Sequence, residues 1–162
     1  MKKILLTQGK ITLVDDKDFP NFSKHKWYFK GGYGNGYAMR GLKRSEGGKK
    51  GDKMVSMHRL IMNAPEGFEV DHINGDKLDN RRVNLRICLK EENHRNRGLQ
   101  SNNTSGFKGV SRRRDLKKWA VHVNVDGKKT SVGHFDDLKE AAKAYNKAAL
   151  KYYGNYARLN HV

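Results

Sequence analysis

Residues 70–76 read VDHINGD, residues 84–86 read NLR and residues 92–93 read EN, and these three motifs decide how the middle of the chain folds. They bring a carboxylate and an adjacent imidazole, Asp71 and His72, into one segment with two later amides. The first amide follows the imidazole by twelve residues, and the second follows nine residues after that. A general base and oxygen ligands for a hard cation are the groups that hydrolysis of a phosphodiester requires.

The same segment has the pattern of two strands followed by a short helix. Residues 68–73 and 85–88 alternate apolar and polar side chains as strands do, and residues 74–76 predict a turn. Residues 79–83 form a tight polar connection. Residues 90–97 predict a short polar helix with acidic side chains in its first turn, where the helix dipole favours them.

The motifs resemble those of the HNH nucleases, a branch of the His-metal finger group, and in particular the intron-homing type found in phages. Asp-His, Asn-Leu and Glu-Asn pairs occur in the order and at the distances typical of that family. The resemblance implies a ββα-metal nuclease motif over residues 58–98, with residues 1–57 as the β-rich N-terminal region of the nuclease module. It also implies a divalent metal ion, first of all Mg²⁺, with Mn²⁺ as the other choice.

Four residues form the candidate catalytic set: Asp71, His72, Asn84 and Asn93. The His72 imidazole titrates near physiological pH, so it can take a proton from an attacking water. The Asp71 carboxylate and the Asn93 amide oxygen suit Mg²⁺ and are the candidate metal ligands. Because neighbours on a strand point to opposite faces, Asp71 and His72 need a strand end or an irregularity to face one phosphate. By resemblance, Asn84 holds the loop or orients His72 through a hydrogen bond.

Three further residues near the motifs bear on the same chemistry. His94 could replace Asn93 as a ligand, but helix geometry turns the two side chains about 100° apart. His58 recurs in relatives of this nuclease type, and we expect a structural histidine at the edge of the site rather than a second base. Leu89 stands where related sequences have Thr or Ser, which removes a helix cap worth about 1 kcal/mol and leaves the chemistry untouched.

The first 57 residues predict short strands and hairpins. Residues 26–30 are an aromatic strand candidate. The glycine-rich residues 31–37 predict a hairpin turn, because no Gly-Lys-Ser/Thr follows as a phosphate cradle would require. Residues 45–53 predict a mobile polar loop, and residues 55–61 resume an apolar alternation. A DNA-contacting role and a scaffold role for this region are equally compatible with the sequence.

A turn-rich polar linker over residues 99–105 precedes a second unit over residues 106–162. Residues 106–111, 119–125 and 128–133 predict three strands. The Asp-Gly pair between the last two strands is a strong hairpin signal. The second unit therefore begins as a small antiparallel sheet.

A helix completes this unit, since apolar residues recur at helical spacing from Leu138 to Tyr152. Asp137 is the predicted N-cap, with Glu140 three residues on, and Gly154 suits the helix end. The unit closely resembles the plant Apetala-type (ethylene-response-factor) DNA-binding domain, a three-stranded antiparallel sheet packed on one α-helix. The matching residues are FKGV at 107–110, WA at 119–120, GHF at 133–135, EAA at 140–142, AY at 144–145, AA at 148–149 and ARLN at 157–160.

The related domains read the major groove of DNA with their sheet, and the resemblance implies contacts at matching positions here. On the strands these are Lys108, Ser111, Arg113, His122, Asn124, Lys129 and Ser131. Several of these positions are Arg, Glu or Trp in the plant domains, so the fold is expected to transfer but the base preference is not. Phosphate contacts are expected from a cationic strip that adds Arg112, Arg114, Lys117 and Lys118. Three arginines lie beside the nuclease motif: Arg86, Arg95 and Arg97. They either clamp DNA phosphates or form a solvated basic face, and the sequence allows both. Trp119 is expected in the core rather than as a stacking platform.

Composition narrows the partner to a polyanion. The chain has 162 residues, room for one ordinary domain or two small ones, and 34 Lys and Arg against 17 Asp and Glu give a net charge of +17. A mean hydropathy of −0.91 and the lack of an apolar run of about 18 residues argue against a membrane. Residues 1–8 lack the apolar core of a signal peptide, and the single Cys88 provides no disulfide framework or Cys-rich zinc site. We therefore expect an intracellular protein of the host cytoplasm, encoded by a phage or mobile element and not secreted.

The predicted fold class is α+β, and the predicted partner is double-stranded DNA, with no membrane and no small-molecule cofactor. The main hypothesis is a metal-dependent, homing-type DNA endonuclease whose C-terminal sheet supplies recognition. A sequence-specific DNA-binding protein with a decayed nuclease module predicts a lost catalytic residue, and none is lost. RNA or ribosome binding explains only the charge. The target, the oligomeric state and the choice between nicking and a double-strand break stay open at this stage.

Overall fold

The computed structural model describes residues 1–32, 35–42 and 54–162. The chain divides into two compact units, Met1–Asn93 and His94–Val162. The loop predicted over residues 45–53 lies outside the described residues, as do residues 33–34.

The first unit consists of short antiparallel strands and short helices. In chain order they are β1 (Lys2–Leu5), β2 (Ile11–Val14), α1 (Phe19–Phe22), β3 (Tyr28–Gly32), β4 (Asn35–Gly41), β5 (Met54–Ser56), α2 (Met57–Met62), β6 (Glu69–His72), β7 (Leu85–Cys88) and α3 (Lys90–Arg95). Strand β1 pairs with β2, strands β3, β4 and β5 form a three-stranded sheet, and β6 pairs with β7. The boundary between the two units falls within α3.

The strand, loop, strand, helix order predicted around the motifs is found in β6, β7 and α3. One element differs from the expectation: the apolar alternation over residues 55–61 continues as a strand only to Ser56, and α2 begins at Met57. Met57 and Ile61 are four residues apart, so helical geometry places both side chains on one buried face. Burial of that face outweighs the short-range strand pattern.

Residues from the N-terminal region and from the nuclease motif share one hydrophobic core. Val14 and Trp27 from the first region pack in the same cluster as Val70 and Leu85 from the β6–β7 hairpin, with Met57 among them. The Trp27 indole N–H donates to the Phe22 carbonyl at 2.8 Å, which satisfies its polar atom inside the core. The N-terminal region is therefore a structural support of the β6–β7 hairpin.

Glycines in the β3–β4 hairpin allow the two strands to approach closely. Gly31 pairs with Gly36, and a Cβ atom on Gly31 would lie 2.3 Å from the Gly36 Cα. Such a distance excludes any larger side chain at this point. The described residues of the glycine-rich stretch thus belong to an antiparallel hairpin.

The second unit is a three-stranded antiparallel sheet packed on one long helix. Its elements are β8 (Val110–Arg113), β9 (Lys118–Val125), β10 (Lys128–Phe135) and α4 (Leu138–Tyr153), with β9 in the centre of the sheet. Val121 and Val123 of β9 pack against Ala141, Tyr145 and Ala149 of α4 in one cluster. The prediction of an α+β fold with a sheet on a C-terminal helix is confirmed.

The ends of α4 follow the predicted capping pattern. The Asp137 carboxylate accepts the backbone N–H of Glu140 at 2.8 Å, and Gly154 follows the last helical residue with a φ of 52°. The segment after the helix is anchored as well: Asn160 Oδ1 accepts the backbone N–H of Lys108 at 2.7 Å. These hydrogen bonds satisfy backbone groups that would otherwise lack a partner.

The first strand of this sheet begins later than the sequence indicates. The strand predicted from residue 106 starts at Val110, because Gly106 and Gly109 have φ values of 75° and 73°. This left-handed backbone region interrupts an extended chain and favours glycine. At Gly109 a Cβ atom would also lie 2.1 Å from the Tyr145 ring.

Candidate functional site

The β6–β7 hairpin sets the direction of the motif side chains. Asp71 pairs with Arg86 and His72 pairs with Leu85 across the two strands. Consecutive strand residues point to opposite faces, so Asp71 and His72 leave the hairpin on different sides. Strand β6 ends at His72.

On the Asp71 side, the carboxylate forms an ion pair with Arg86. Asp71 Oδ2 accepts hydrogen bonds from Arg86 Nε at 2.9 Å and from Arg86 Nη2 at 2.6 Å. The two side chains are 7% and 16% exposed. The structure thus places the Arg86 guanidinium, a predicted phosphate contact, against the predicted metal ligand.

The Asn93 amide lies on the same side of the hairpin. Its Nδ2 donates to the Glu69 carboxylate, and Glu69 alternates with Asp71 on β6, so the two carboxylates share a face. With Nδ2 bound to Glu69, the Asn93 oxygen is the atom of this amide that can coordinate a cation. Two carboxylates and an amide oxygen are hard donors of the kind that Mg²⁺ takes. Among the described residues, no group of three or more His, Cys, Asp or Glu side chains is arranged as a metal site.

On the opposite side, His72 is buried against other rings. Its side chain is close to His58, with ring centroids 5.0 Å apart, and to Tyr37, at 6.1 Å. His72 Nε2 and Asn80 Oδ1 are 3.2 Å apart. Burial lowers the pKa of His72, while the Asn80 hydrogen bond and the Asp71 carboxylate act in the opposite direction. The imidazole is therefore neutral at physiological pH and able to accept a proton.

His58 is the second buried histidine of this side. Its Nε2 lies 3.3 Å from Ser56 Oγ, and within the described part of the chain its Nδ1 has no hydrogen-bond partner. Burial first, and then the nearby His72, Arg59 and Lys77, lowers the pKa of His58 to about 3. Lys77 itself lies 4.5 Å from the Tyr37 ring centroid.

Asn84 ties down the loop between the two strands. Its Oδ1 accepts the backbone N–H of Asn74 at 2.9 Å, and its Nδ2 donates to the Asp79 carbonyl at 2.9 Å. Holding this loop is one of the two roles that the sequence suggested for Asn84. The hydrogen bond to His72 comes from Asn80 instead.

Three functional candidates were not found from the sequence: Glu69, Asn80 and Thr12. Asn80 sits in the polar connection after the motif, where its neighbour Asp79 forms a bidentate ion pair with Arg81 at 2.7 and 2.6 Å. An amide in a polar loop gives no local signal of a buried role. Thr12 lies far away in sequence on β2, so only the folded chain shows its contact with Asn80.

In the second unit, most predicted DNA contacts share one face of the sheet. Register pairs His122 with Ser131, Asn124 with Lys129, Ser111 with Ala120 and Arg113 with Lys118. These residues alternate with Val121 and Val123, which face α4, so they lie on the opposite, outward face. Burial, followed by the positive charges of Lys129, His134 and Arg113, lowers the pKa of His122, as expected for cations gathered on one face.

Two predicted contacts lie elsewhere. Arg112 pairs with Trp119 on the helix side of the sheet, and its guanidinium carbon lies 4.9 Å from the Trp119 ring centroid. Trp119 packs partly buried against the core of this unit. Lys108 is turned inward: its Nζ donates to the carbonyls of Arg95 and Arg97 at 2.5 and 2.6 Å, and burial lowers its pKa to about 8.

The remaining cations are exposed or partly exposed. Arg95 lies over the Tyr153 ring at 5.4 Å, Arg113 pairs with Asp115, and Lys118 pairs with Asp136 at 3.1 Å. Arg97 and Arg114 are exposed. Such surface ion pairs contribute little to stability, so a DNA phosphate can compete for these cations at low cost.

A cavity of about 750 Å³ lies beside the outward face, within the second unit. His122, Asn124 and Lys129 line one part of it, and residues 97–100 and 102–104 line another. The predicted linker therefore flanks the candidate DNA contacts. No helix in the described ranges has the length and apolar character needed to cross a membrane.

The comparisons with known proteins agree with this division. A family model described as HNH endonuclease matches residues 57–95, and one described as AP2 domain matches residues 105–155. A DNA-cutting module joined to a DNA-binding module is the class of protein that these matches define.

Similar proteins include two from viruses and several from plants. The chain is 34% identical over 95 residues to Protein 3.8 of Escherichia phage T7, which covers 59% of this chain and 78% of that protein. It is 30% identical over 167 positions to the Uncharacterized HNH endonuclease L560 of Acanthamoeba polyphaga mimivirus, covering 98% of this chain and 80% of that protein. Its C-terminal part is 38% identical over 59 residues to the AP2-like ethylene-responsive transcription factor TOE2 of Arabidopsis thaliana, 36% of this chain and 12% of that protein.

The chain belongs to the HNH endonuclease family, and its C-terminal unit is an AP2-type DNA-binding domain. It is accordingly a DNA-cleaving enzyme of a family that generally uses a divalent metal. Both resemblances drawn from the sequence are confirmed.

Proposed function

We propose that this enzyme hydrolyses phosphodiester bonds of double-stranded DNA with His72 as the general base and with Asp71 and Asn93 holding a divalent cation. The observation that carries the proposal is the state of His72. It is neutral because it is buried, it is held by Asn80, and it stands at the end of β6 directly after Asp71. A neutral, oriented imidazole at a strand end can take a proton from water beside a carboxylate that binds a cation.

Each residue of the set has a distinct part. His72 removes a proton from the attacking water, and Asn84 holds the loop that follows His72 through its bonds to Asn74 and Asp79. Asp71 and Asn93 supply oxygen donors on the other side of the hairpin, directly before the strand end at His72. When bound, Mg²⁺ or Mn²⁺ would stabilise the charge that develops on the phosphate and on the leaving oxygen.

Arg86 compensates the Asp71 charge through an ion pair. Two hydrogen bonds to one carboxylate oxygen fix the orientation of Asp71, which prepares it as a ligand. This role differs from the phosphate clamp that the sequence also allowed. The outward face of the AP2-type sheet then binds DNA and brings the phosphodiester to the nuclease unit.

The direct test is cleavage of supercoiled plasmid with Mg²⁺, with Mn²⁺ and with EDTA. We expect metal-dependent conversion of the supercoiled plasmid to nicked or linear DNA. The His72→Ala enzyme should lose this activity. His161→Ala removes an exposed histidine near the C-terminus and is the matched control, which should cleave at the rate of the unchanged enzyme. Cleavage by His72→Ala at that rate would remove His72 from the mechanism. The ratio of nicked to linear product gives the number of strands cut.

Metal binding is tested without any reference to activity. Titration calorimetry with Mn²⁺ should give a site in the full chain that Asp71→Asn and Asn93→Ala each weaken, by at least the roughly 10- to 100-fold that loss of a residue supporting a ligand costs. Asn21→Ala, an exposed asparagine of the same unit, is the control. Unchanged Mn²⁺ affinity in both site variants would place the cation elsewhere.

We further propose a homing-type role, in which the enzyme cuts a long and rare DNA site. The resemblance of the motifs to the phage intron-homing type and the addition of a separate DNA-binding unit support it. Selection of cleaved molecules from a randomised or genomic DNA library should return one extended site. Frequent cutting at unrelated short sequences would contradict this role.

A further inference from the structure

The loop after the catalytic motif is joined to the N-terminal strand β2. Leu13 and Asp79 form a parallel bridge, in which Leu13 N–H donates to the Leu78 carbonyl at 2.8 Å and Asn80 N–H donates to the Leu13 carbonyl at 2.9 Å. Thr12 and Asn80 are both 0% exposed. The contact joins residues that are 68 positions apart in sequence.

Three side-chain hydrogen bonds connect β2 to the general base. Thr12 Oγ1 lies 2.7 Å from the Leu78 carbonyl oxygen, Asn80 Nδ2 lies 2.7 Å from Thr12 Oγ1, and Asn80 Oδ1 lies 3.2 Å from His72 Nε2. A continuous buried chain of polar groups therefore runs from a backbone carbonyl to the imidazole.

The direction of every bond in this chain is fixed by its first member. The Leu78 carbonyl has no proton, so the Thr12 hydroxyl must donate to it. The hydroxyl has only one proton, so toward Asn80 it must accept, and the amide group facing it must be the NH₂. The amide oxygen is then the atom that faces His72, and it can only accept. His72 Nε2 must therefore carry the ring proton.

We propose that Thr12 and Asn80 are positioning residues that hold His72 as the Nε2–H tautomer and leave the lone pair on Nδ1. Nδ1 is then the atom that takes the proton from water. The inference rests on the proposed role of His72 as the general base. It also gives the N-terminal region a function, because Thr12 sets the protonation of a catalytic group while it remains outside the reacting atoms.

The physical reason for such an arrangement is the two-fold choice that a neutral imidazole has. Either ring nitrogen can carry the proton, and the hydrogen bond made by one nitrogen decides the state of the other. A base in the wrong tautomer presents an N–H to the water and cannot accept its proton. An acceptor fixed at Nε2 keeps the whole population of enzyme in the competent form.

The test pairs Thr12→Val with Thr12→Ser. Valine keeps the branched shape on β2 but removes the hydroxyl, so Asn80 loses the contact that fixes the orientation of its amide. Serine restores the hydroxyl. The tautomer is read by two-dimensional ¹H–¹⁵N correlation of the imidazole nitrogens in the full chain near pH 7.5, with EDTA and again with Mg²⁺. Loss of signals in His72→Gln assigns the resonances.

In the unchanged protein and in Thr12→Ser, Nε2 should have the shift of a protonated nitrogen and Nδ1 that of a nitrogen with a lone pair. In Thr12→Val both shifts should move toward their average. Plasmid cleavage should fall about 10-fold in Thr12→Val and 10- to 100-fold in Asn80→Ala, with DNA affinity unchanged. Thr12→Ser should recover most of the rate.

Two results would overturn the inference. One is an Nδ1–H tautomer in the unchanged protein. The other is a Thr12→Val protein with both the tautomer and the cleavage rate of the unchanged enzyme. If instead His72→Ala cleaves normally while the spectrum shows the Nε2–H form, the proposed general base is overturned and the fixed tautomer alone remains, so the two failures are distinguishable.

Discussion

The rings of His58 and His72 lie 5.0 Å apart in a buried environment, and burial lowers the pKa of both. A positive charge on either ring would be poorly solvated and would repel a charge on the other. Because the His72 ring is neutral near pH 7, it can accept a proton as a general base. The same burial makes this part of the nuclease unit sensitive to acid.

His58 should therefore reduce stability at acid pH. Its pKa falls from 6.5 to about 3 on folding, so between these values the unfolded chain binds a proton that the folded chain does not. The free energy of unfolding therefore rises with pH between these two values. The stability linked to neutral His58 is fully present above about pH 6.5 and is lost as the pH falls toward 3. Between pH 7 and pH 5 this linkage amounts to about 2 kcal/mol.

Urea unfolding of the first unit, followed by Trp27 fluorescence in a Trp119→Phe background, measures this dependence. His58→Gln should reduce the loss between pH 7 and pH 5 by about 2 kcal/mol relative to the parent. His161→Gln changes an exposed histidine and should retain the parent slope. Parallel pH curves for His58→Gln and the parent would show that His58 is protonated in the folded protein.

The Asp71–Arg86 pair makes a prediction that involves the cation. Arg86→Met leaves a buried carboxylate without its counter-charge and should lower the free energy of unfolding by about 3 kcal/mol. If Asp71 is a metal ligand, added Mn²⁺ replaces the lost charge, so stability should rise with Mn²⁺ concentration more steeply than in the parent. Urea unfolding across a Mn²⁺ series measures both effects.

Arg82→Met is the matched control, since it breaks another Arg–Asp pair with two hydrogen bonds in the same unit, with Asp18 at 2.8 and 2.9 Å. Its stability should respond to Mn²⁺ as the parent does. An equal Mn²⁺ response in Arg86→Met and Arg82→Met would count against Asp71 as a ligand.

At the scale of elements, Gly109 sets how closely the start of β8 approaches α4. Its φ is 73°, and a Cβ atom would lie 2.1 Å from the Tyr145 ring. Gly109→Ala should therefore cost the AP2-type unit about 3 kcal/mol or more through overpacking and backbone strain. Gly106→Ala has a similar φ of 75° but nothing within 4 Å of its Cβ, so about 1 kcal/mol of strain alone is expected.

Hydrogen exchange of the α4 amides separates the two substitutions. Protection should fall strongly in Gly109→Ala and slightly in Gly106→Ala, while the β6–β7 amides keep their protection in both. Equal loss in the two variants would mean that backbone strain, and not the contact with Tyr145, determines the effect.

The elements that local sequence determines were predictable, and those that depend on distant contacts were not. Strands β6 and β7 and the cap of α4 follow from alternation and from the Asp137–Glu140 spacing, which involve only neighbouring residues. Helix α2 was missed because its buried face becomes apparent only against the core. The Thr12–Asn80 contact joins positions 68 residues apart, and neither side chain has a pattern that indicates burial.

For the whole molecule, a net charge of +17 makes DNA affinity strongly dependent on salt. A protein with 6 to 10 phosphate contacts loses about 10³- to 10⁵-fold in affinity between 50 and 200 mM salt. The fold decides which cations contribute. Lys129 lies on the outward face of the sheet beside Asn124, whereas Arg112 is stacked on Trp119 on the helix side.

Lys129→Ala should therefore weaken binding to duplex DNA and reduce the slope of log affinity against log salt by about 0.9, the value for one phosphate contact. Arg112→Ala removes the same charge from the other side of the sheet and should leave the slope unchanged. Fluorescence anisotropy with a random duplex between 50 and 200 mM salt measures both variants. Since the two proteins have the same net charge, any difference in slope reflects position alone. A reduced slope in Arg112→Ala and not in Lys129→Ala would place DNA on the helix side of the sheet.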